Sequence, residues 1–288
     1  LLPVSFTNDG KCAPLGMGVQ RFWAQELAEA GVKAAAPVFT AMQENQGRRV
    51  PALMIFREPW NDERALEGIG RFQNARHGLM TDMFAQEDKV RLTARLVAHE
   101  GGALTTVRSF EAETTAEQLP GELFRLTQEI AGSLGKTVEK KGWQDAFGSA
   151  NVQAIISFLV GLGNLSALQG RCVPTTSDQL LSPLMDALAR APEMDPTMQA
   201  LHAMTDILIS GQPDQAAIPL SIQALSIAAQ RRKNDQGAWH HLALVLRRHP
   251  MTVSAEATAR LAALRHRLGL SHPVGLFASP RLAGPIAF

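Results

Sequence analysis

The stretch KVRLTARLVA, residues 89–98, alternates apolar and polar side chains along its length. Positions 90, 92, 94 and 96 are apolar, whereas positions 91, 93 and 95 carry arginine or threonine. Because successive side chains of a β-strand point to opposite faces of a sheet, this alternation predicts a strand with one buried face.

Turn-forming residues flank this strand on both sides. AQED (85–88) precedes it and HEGG (99–102) follows it, and both are suited to hairpin turns. The neighbouring runs HGLMTDMF (77–84) and ALTTVRSFEA (103–112) are therefore predicted to pair with it as an antiparallel meander.

Upstream, residues 2–6 predict a short strand, and an amphipathic helix with a glycine stop at Gly31 follows. The apolar run 32–39 is predicted as a second strand, parallel to the first through a right-handed crossover. Residues 50–57 form a third apolar run, in which Pro51 predicts an edge position. Asn61 or Asp62 is suited to cap a helix that reaches about residue 74.

The pattern changes after the meander. A helix is predicted over 117–134, and the charged segment 135–149 has no hydrophobic period, which predicts a domain boundary. Beyond it, proline and glycine separate helical segments at 149–169, 177–190, 196–210, 213–230, 236–248 and 253–268. Helical pairs begin at about 177, 213 and 253, a repeat of roughly 36–40 residues that is typical of helical-hairpin arrays.

The predicted fold class is therefore an α/β or α+β domain with a mixed sheet, followed by an all-α helical-repeat domain. The predicted bounds are 1–138 for the first domain, 139–150 for a linker, 151–270 for the helical domain and 271–288 for a C-terminal tail. We expect the apolar tail to pack over the helical domain as a cap, with insertion into a neighbouring molecule as the alternative.

Composition indicates a globular protein without a strong electrostatic preference for one class of partner. The 288 residues are 45% hydrophobic and 19% charged, with a net charge of +1.

Cys12 and Cys172 fit neither a disulfide framework nor a metal-site spacing, which predicts a cytoplasmic protein; a periplasmic protein whose signal peptide has been removed is the alternative. No apolar run approaches the ~20 residues of a membrane span, so no transmembrane segment is predicted.

Glycine-rich stretches could cradle phosphate, but their spacing does not fit. Gly16 and Gly18 are followed by Arg21 where a dinucleotide fingerprint needs glycine, which favours a plain strand-to-helix connection. SLGKT (133–137) has Ile130 in place of the first glycine of a phosphate loop and is better explained as a helix stop. VGLGNLSALQG (160–170) is predicted to be helical, its small residues allowing a close helix crossing.

Neither a metal site nor a nucleophile is predicted. Among eight histidines only His240 and His241 are adjacent, and neighbours on a helix point about 100° apart. The chain has no G-x-S-x-G motif, and neither cysteine has a spacing cue to a histidine. The sequence therefore predicts no catalytic residue, no cofactor and no enzymatic activity.

Basic clusters end three of the predicted helices, and they are the candidate partner-binding residues: Arg231, Arg232, Lys233, Arg247, Arg248, Arg265 and Arg267. Cations at helix C-termini are favoured by ~0.3–1 kcal/mol from the helix dipole alone, which is one interpretation. The other is an edge that binds an acidic partner or phosphate. In an antiparallel array, the first and third clusters would share one edge and the second would lie at the opposite edge.

The N-terminal region, about residues 1–138, resembles the TolB N-terminal-like domain of bacteria. The residues that carry this resemblance are Leu2-Pro3, Phe6, Gly18, Glu26-Leu27, Gly78, the strand 90–97, Gly101-Gly102 and Gln128 to Ile130. The chain departs from the family pattern where Val4 and Ser5 separate proline from phenylalanine, and where Thr105 and Thr106 replace an aromatic residue.

The second half resembles tetratricopeptide-type repeats of a divergent kind. MDALARAPEMDP (185–196) is its best match, and LRRHPMTVSAEATARLAAL (246–264) echoes it. The two resemblances imply a non-enzymatic scaffolding or regulatory protein whose helical domain binds a protein or peptide partner. Binding of nucleic acid or a phosphate-bearing ligand through the basic edge is the alternative, and an enzyme with a ligand near residues 135–165 is a third hypothesis.

Overall fold

The alternating stretch forms the centre of a four-stranded sheet in the computed structural model of the protein. The structure describes residues 1–6, 13–45, 47–72, 74–86, 89–172, 176–211, 216–248, 276–277 and 286–287. The strands are β1 (Ser5–Phe6), β2 (Thr40–Asn45), β3 (Arg48–Leu53), β4 (His77–Gln86), β5 (Lys89–Glu100), β6 (Ala103–Thr115), β7 (Leu276–Phe277) and β8 (Ile286–Ala287). The helices are α1 (Ala13–Glu29), α2 (Asp62–Gly70), α3 (Leu119–Ser133), α4 (Trp143–Phe147), α5 (Val152–Gln169), α6 (Ser177–Arg190), α7 (Asp195–Gly211), α8 (Ala217–Arg231) and α9 (Gln236–Arg248).

The predicted meander is confirmed. The sheet order is β1-β4-β5-β6, and β4, β5 and β6 are antiparallel neighbours. Gly101 and Gly102 form the turn between β5 and β6 with φ of 59° and 80°, a left-handed conformation that two-residue hairpin loops require. Leu92 and Ala94 of β5 are buried on one face, as the alternation predicts.

The predicted strand 32–39 is wrong. These residues form no ladder, and the parallel partner of β1 is β4, with Ser5 opposite Asp82. Three alanines at 34–36 have low β-propensity and Pro37 has no N–H to donate, so the run is a poor strand despite its apolar content. The mixed sheet is nevertheless present, since β1 is parallel to β4 and the meander is antiparallel.

Helices α1 and α3 contact each other and bury large apolar side chains. Trp23 of α1 is fully buried, and its indole Nε1–H donates to the carbonyl of Leu123 in α3 at 3.1 Å. After α3, the backbone N–H of Lys136 donates a hydrogen bond to the carbonyl of Ala131, and Gly135 has φ of 68°. The GKT stretch is therefore a helix stop, as predicted, rather than a phosphate loop.

Helices α1 and α5 cross at backbone contact. A Cβ added to Gly18 would lie 1.8 Å from the carbonyl oxygen of Leu159, and one added to Gly163 would lie 1.8 Å from that of Pro14. This confirms the close crossing predicted for residues 160–170. Within the described residues, α5 is the one helix long and apolar enough to span a membrane, but two thirds of it is buried inside the protein, as in a core helix.

The segment predicted as a linker contains α4. Its Phe147 is fully buried and stacks on Phe22 of α1 with ring centroids 4.2 Å apart. The chain divides into two compact units, Leu1–Ala200 and Leu201–Phe288. The first unit thus extends past the predicted boundary, because α5 packs on α1 and α6 packs on α5.

The second half is helical, as predicted, over the described residues. Helices α8 and α9 are joined by only four residues and therefore run antiparallel, burying Leu225 and Leu242. The predicted helix 253–268 lies outside the described residues, as does most of the tail 271–288, of which β7 pairs antiparallel with β8.

The helix crossing gives a direct test. We expect Gly18→Ala to destabilise the protein by about 1–3 kcal/mol or to prevent folding, because the new methyl group would overlap the Leu159 carbonyl oxygen. Gly132→Ala in α3 is the control: its Cβ would meet open space, and alanine should stabilise the helix slightly. Urea denaturation followed by circular dichroism measures both, and equal stability of the two variants would contradict the close contact.

Candidate functional site

Exposed apolar side chains are concentrated in one place, residues 40–55, which we call the apolar hairpin. Among the described residues, seven large apolar side chains are exposed, and four of them belong to this hairpin. Their exposed fractions are 62% for Met42, 37% for Val50, 39% for Met54 and 43% for Ile55. Scattered single apolar residues are normal at a protein surface, but a group of them is typical of an interaction site.

The hairpin contains β2, β3 and the two residues that follow β3, and its strands pair with each other and with no other strand in the described part of the chain. Asn45 pairs with Arg48 across a two-residue loop in which Gly47 has φ of 73°. Met42 lies opposite Pro51, and Glu44 lies opposite Arg49. Pro51 thus stands in an edge strand, as predicted, and the hairpin projects as a separate ribbon.

An aromatic cluster anchors the base of the hairpin. Phe39 and Phe56, which flank it in sequence, are both buried and meet edge to face with centroids 5.9 Å apart. Trp60 packs on Phe56 at 4.5 Å, and its indole N–H donates to the carbonyl of Pro3 at 2.7 Å. The ribbon is therefore rigidly attached at one end while its apolar side chains are exposed.

A polar groove of about 340 Å³ lies on the face of the sheet that α2 leaves open. Its floor includes Asp82, Thr93, Ser109 and Glu111. Burial raises the pKa of Asp82. The Ser5 hydroxyl donates a hydrogen bond to Asp82 Oδ1 at 2.8 Å, which acts in the opposite direction and lowers this pKa. The groove is therefore lined by carboxylate and hydroxyl groups that can form hydrogen bonds.

A second cleft is lined by carboxylates around one lysine. Lys140 Nζ lies 2.5 Å from Glu26 Oε1 and 2.9 Å from Glu29 Oε2, and Asp145 lies at the rim. Burial raises the pKa of Glu26, although the hydrogen bond and the positive charge of Lys140 act to lower it. For Lys140, burial opposes the charge, but the hydrogen bonds to Glu26 and Glu29 outweigh it and raise its pKa. The lysine thereby ties the segment after α3 to helix α1.

Two histidines stack in the second unit. The rings of His202 and His241 lie 4.1 Å apart and almost parallel, and Asp206 Oδ1 is 3.4 Å from His241 Nε2. Burial, followed by the neighbouring His241, lowers the pKa of His202 to about 4, while Asp206 and Asp235 act in the opposite direction. Burial also lowers the pKa of His241. Among the described residues, no group of histidine, cysteine and carboxylate side chains is arranged to hold a metal ion.

The predicted basic residues do not form one patch. Arg231 and Lys233 are exposed at the end of α8, whereas Arg232 is only 18% exposed and lies 2.9 Å from Asp235. Arg247 and Arg248 are exposed at the far end of α9, about 18 Å away by the rise of a 13-residue helix. The first two clusters thus lie at opposite ends of α9; Arg265 and Arg267 lie outside the described residues.

The apolar hairpin is the surface that the sequence interpretation missed. Gly47 between two short runs is the available signal for a hairpin, but residues 40–45 and 48–53 do not alternate apolar and polar side chains and contain one β-branched residue each, Thr40 and Val50. Comparison of the chain with protein-family models, with curated proteins and with solved structures gave no match.

The buried ion cluster predicts a pH-dependent loss of stability. Lys140→Met should lower the free energy of unfolding at neutral pH by about 2 kcal/mol, because Glu26 is left buried without its cation. The loss should shrink as the pH falls, since protonation removes the unpaired charge and the pKa of Glu26 is already raised. Unfolding at several pH values measures this, with the neighbouring exposed Lys141→Met as control; a loss that does not vary with pH would contradict it.

The histidine pair predicts acid sensitivity of the second unit. The pKa of His202 is lowered from 6.5 to about 4 in the folded protein, so the unfolded chain protonates this histidine more readily than the folded protein does. The stability that depends on a neutral His202 is present above pH 6.5 and is lost as the pH falls through 4. His202→Phe keeps a ring for stacking and should flatten the decline of unfolding free energy over this range, whereas His240→Phe, at an exposed position, should not.

Proposed function

We propose that the chain is a non-enzymatic protein-interaction module, and that the apolar hairpin is its contact surface. The observation that carries the proposal is the exposure of Met42, Val50, Met54 and Ile55 on one anchored ribbon, with Met42 on one face and Val50 on the other. Exposed apolar area is unfavourable in water by roughly 25 cal/mol per Å², so a surface of this kind gains free energy when a partner covers it. Two of the four residues are methionines, whose flexible side chains adapt to different partner surfaces.

The charges of the hairpin favour a protein over a nucleic acid as its partner. Glu44 lies opposite Arg49, so opposite charges are paired across the ribbon. Nucleic-acid affinity depends mainly on cations that contact a run of phosphates, and a hairpin with two arginines and one glutamate, a net charge of +1, supplies few of them. A protein segment with apolar side chains complements the ribbon better.

The helical region is proposed as a second contact surface. Helices α8 and α9 of the second unit form an antiparallel hairpin with a four-residue connection, which supports the tetratricopeptide-like interpretation. The exposed Arg247 and Arg248 would then favour an acidic segment of the partner. Binding of nucleic acid through these basic residues remains the alternative, and it requires an affinity that falls steeply with salt.

Replacement of exposed apolar residues tests the hairpin. The double variant Met42→Ser, Ile55→Ser should weaken partner binding by about tenfold or more, because each side chain contributes roughly 1 kcal/mol when a partner covers it. Val107→Ser is the matched control, since Val107 is 45% exposed but lies on β6, outside both proposed contact surfaces.

The measurement is site-specific photocrosslinking from position 42 and from position 107 in the native cell, with mass spectrometry of the adducts. Adducts to a protein from position 42 that are lost when Ile55→Ser is added would support the proposal. Equal adducts from both positions, or none from position 42, would contradict it.

A further inference from the structure

We infer that the apolar hairpin binds a second copy of the chain, through antiparallel pairing of the free edge of β2 with the same edge of the copy. The inference rests on the proposed function and names the occupant of that surface. The result would be a closed dimer held by a four-stranded ribbon in the order β3-β2-β2-β3.

The hydrogen-bond pattern of the hairpin identifies the free backbone groups. The N–H of Met54 donates to the carbonyl of Phe39 at 2.9 Å, and these residues continue the register of β2 and β3. Directly opposed pairs in an antiparallel ladder alternate between hydrogen-bonded and non-hydrogen-bonded pairs. Because Phe39 and Met54 are hydrogen-bonded, Thr40, Met42 and Glu44 lie in non-hydrogen-bonded pairs. Their N–H and C=O groups point away from β3, along the outer edge of β2.

The two edges of the hairpin are not equivalent. On β3 the outward positions are Arg49, Pro51 and Leu53, and proline removes the central donor from that edge. Residues 51–53 are also half-buried, whereas residues 40–44 are all exposed. Natural proteins use proline to prevent edge-to-edge pairing, so β3 is blocked and β2 is open.

Within the hairpin, β2 offers the one open edge, and pairing through it closes the ribbon. Two copies that pair through this edge are related by a two-fold axis, and the four-stranded ribbon then ends on a blocked β3 edge at both sides. An isolated two-stranded hairpin is marginally stable in water, whereas four strands with an apolar row are more stable. The edge asymmetry therefore favours a dimer over a filament.

The residues of β2 are complementary to themselves when the two-fold axis passes through Met42. Met42 then faces Met42 of the copy, and together with Pro51 on each side it forms a continuous apolar row across four strands. Thr40 faces Glu44 of the copy, so no like charges meet, and Glu44 keeps Arg49 as its opposite neighbour within the chain. A register centred on Glu44 would instead bring two carboxylates together.

Charge substitution at the two-fold axis tests this arrangement with the full chain. The wild type should be dimeric by sedimentation velocity and light scattering over a wide range of concentrations. Met42→Glu and Met42→Lys should each be monomeric, because like charges would face each other, and an equimolar mixture of the two should again form dimers. Leu244→Glu is the control and should remain dimeric.

A backbone substitution tests the edge itself. Met42→Pro removes an outward N–H without removing a hydrogen bond of the hairpin, and it should weaken dimerisation by about tenfold or more. Arg49→Pro makes the same change on the blocked edge and should leave dimerisation unchanged, with circular dichroism confirming that both variants fold.

The outcomes separate the dimer from the wider proposal. A monomeric wild type, or a dimer that survives both Met42→Glu and Met42→Pro, would overturn the pairing of β2 edges. If the wild type is monomeric but position 42 still crosslinks to a different protein, only the dimer fails. If it is monomeric and position 42 gives no protein adduct, the proposed function fails as well.

Discussion

The contact between Gly18 and the backbone of Leu159 is the constraint on which the first unit depends. It brings α5 against α1 without intervening side chains, so the two helices form one layer. One turn further along α1, the ring of Phe22 stacks on the ring of Phe147 in α4. A chain segment that looks like a linker in sequence thereby becomes part of the core, and the unit extends to Ala200.

The elements that sequence predicts well are those whose local pattern and tertiary environment agree. In β5, one face is buried and the other is half-exposed, so alternation in sequence becomes alternation in burial. The capping of α2 by Asn61, whose side chain accepts from the N–H of Arg64, is likewise a local interaction that a short window contains.

The elements that sequence predicts poorly depend on distant partners. Residues 32–39 are apolar enough for a strand, but β1 is instead paired with β4, which lies far along the chain. The burial of Phe147 depends on its stacking with Phe22, and the sequence around position 147 contains no pattern that predicts this contact. The apolar hairpin was missed for a related reason: its exposed methionines are visible as surface residues only when the position of the aromatic cluster at its base is known.

The apolar character of α5 has a consequence for how the chain is synthesised. An exposed helix of its length and hydropathy meets the requirements for insertion into a bilayer, so a period without its packing partner would be a hazard during translation. Because α1 precedes α5 in the chain, the glycine-lined surface that covers α5 leaves the ribosome first. The packing partner of α5 is therefore synthesised before α5 itself.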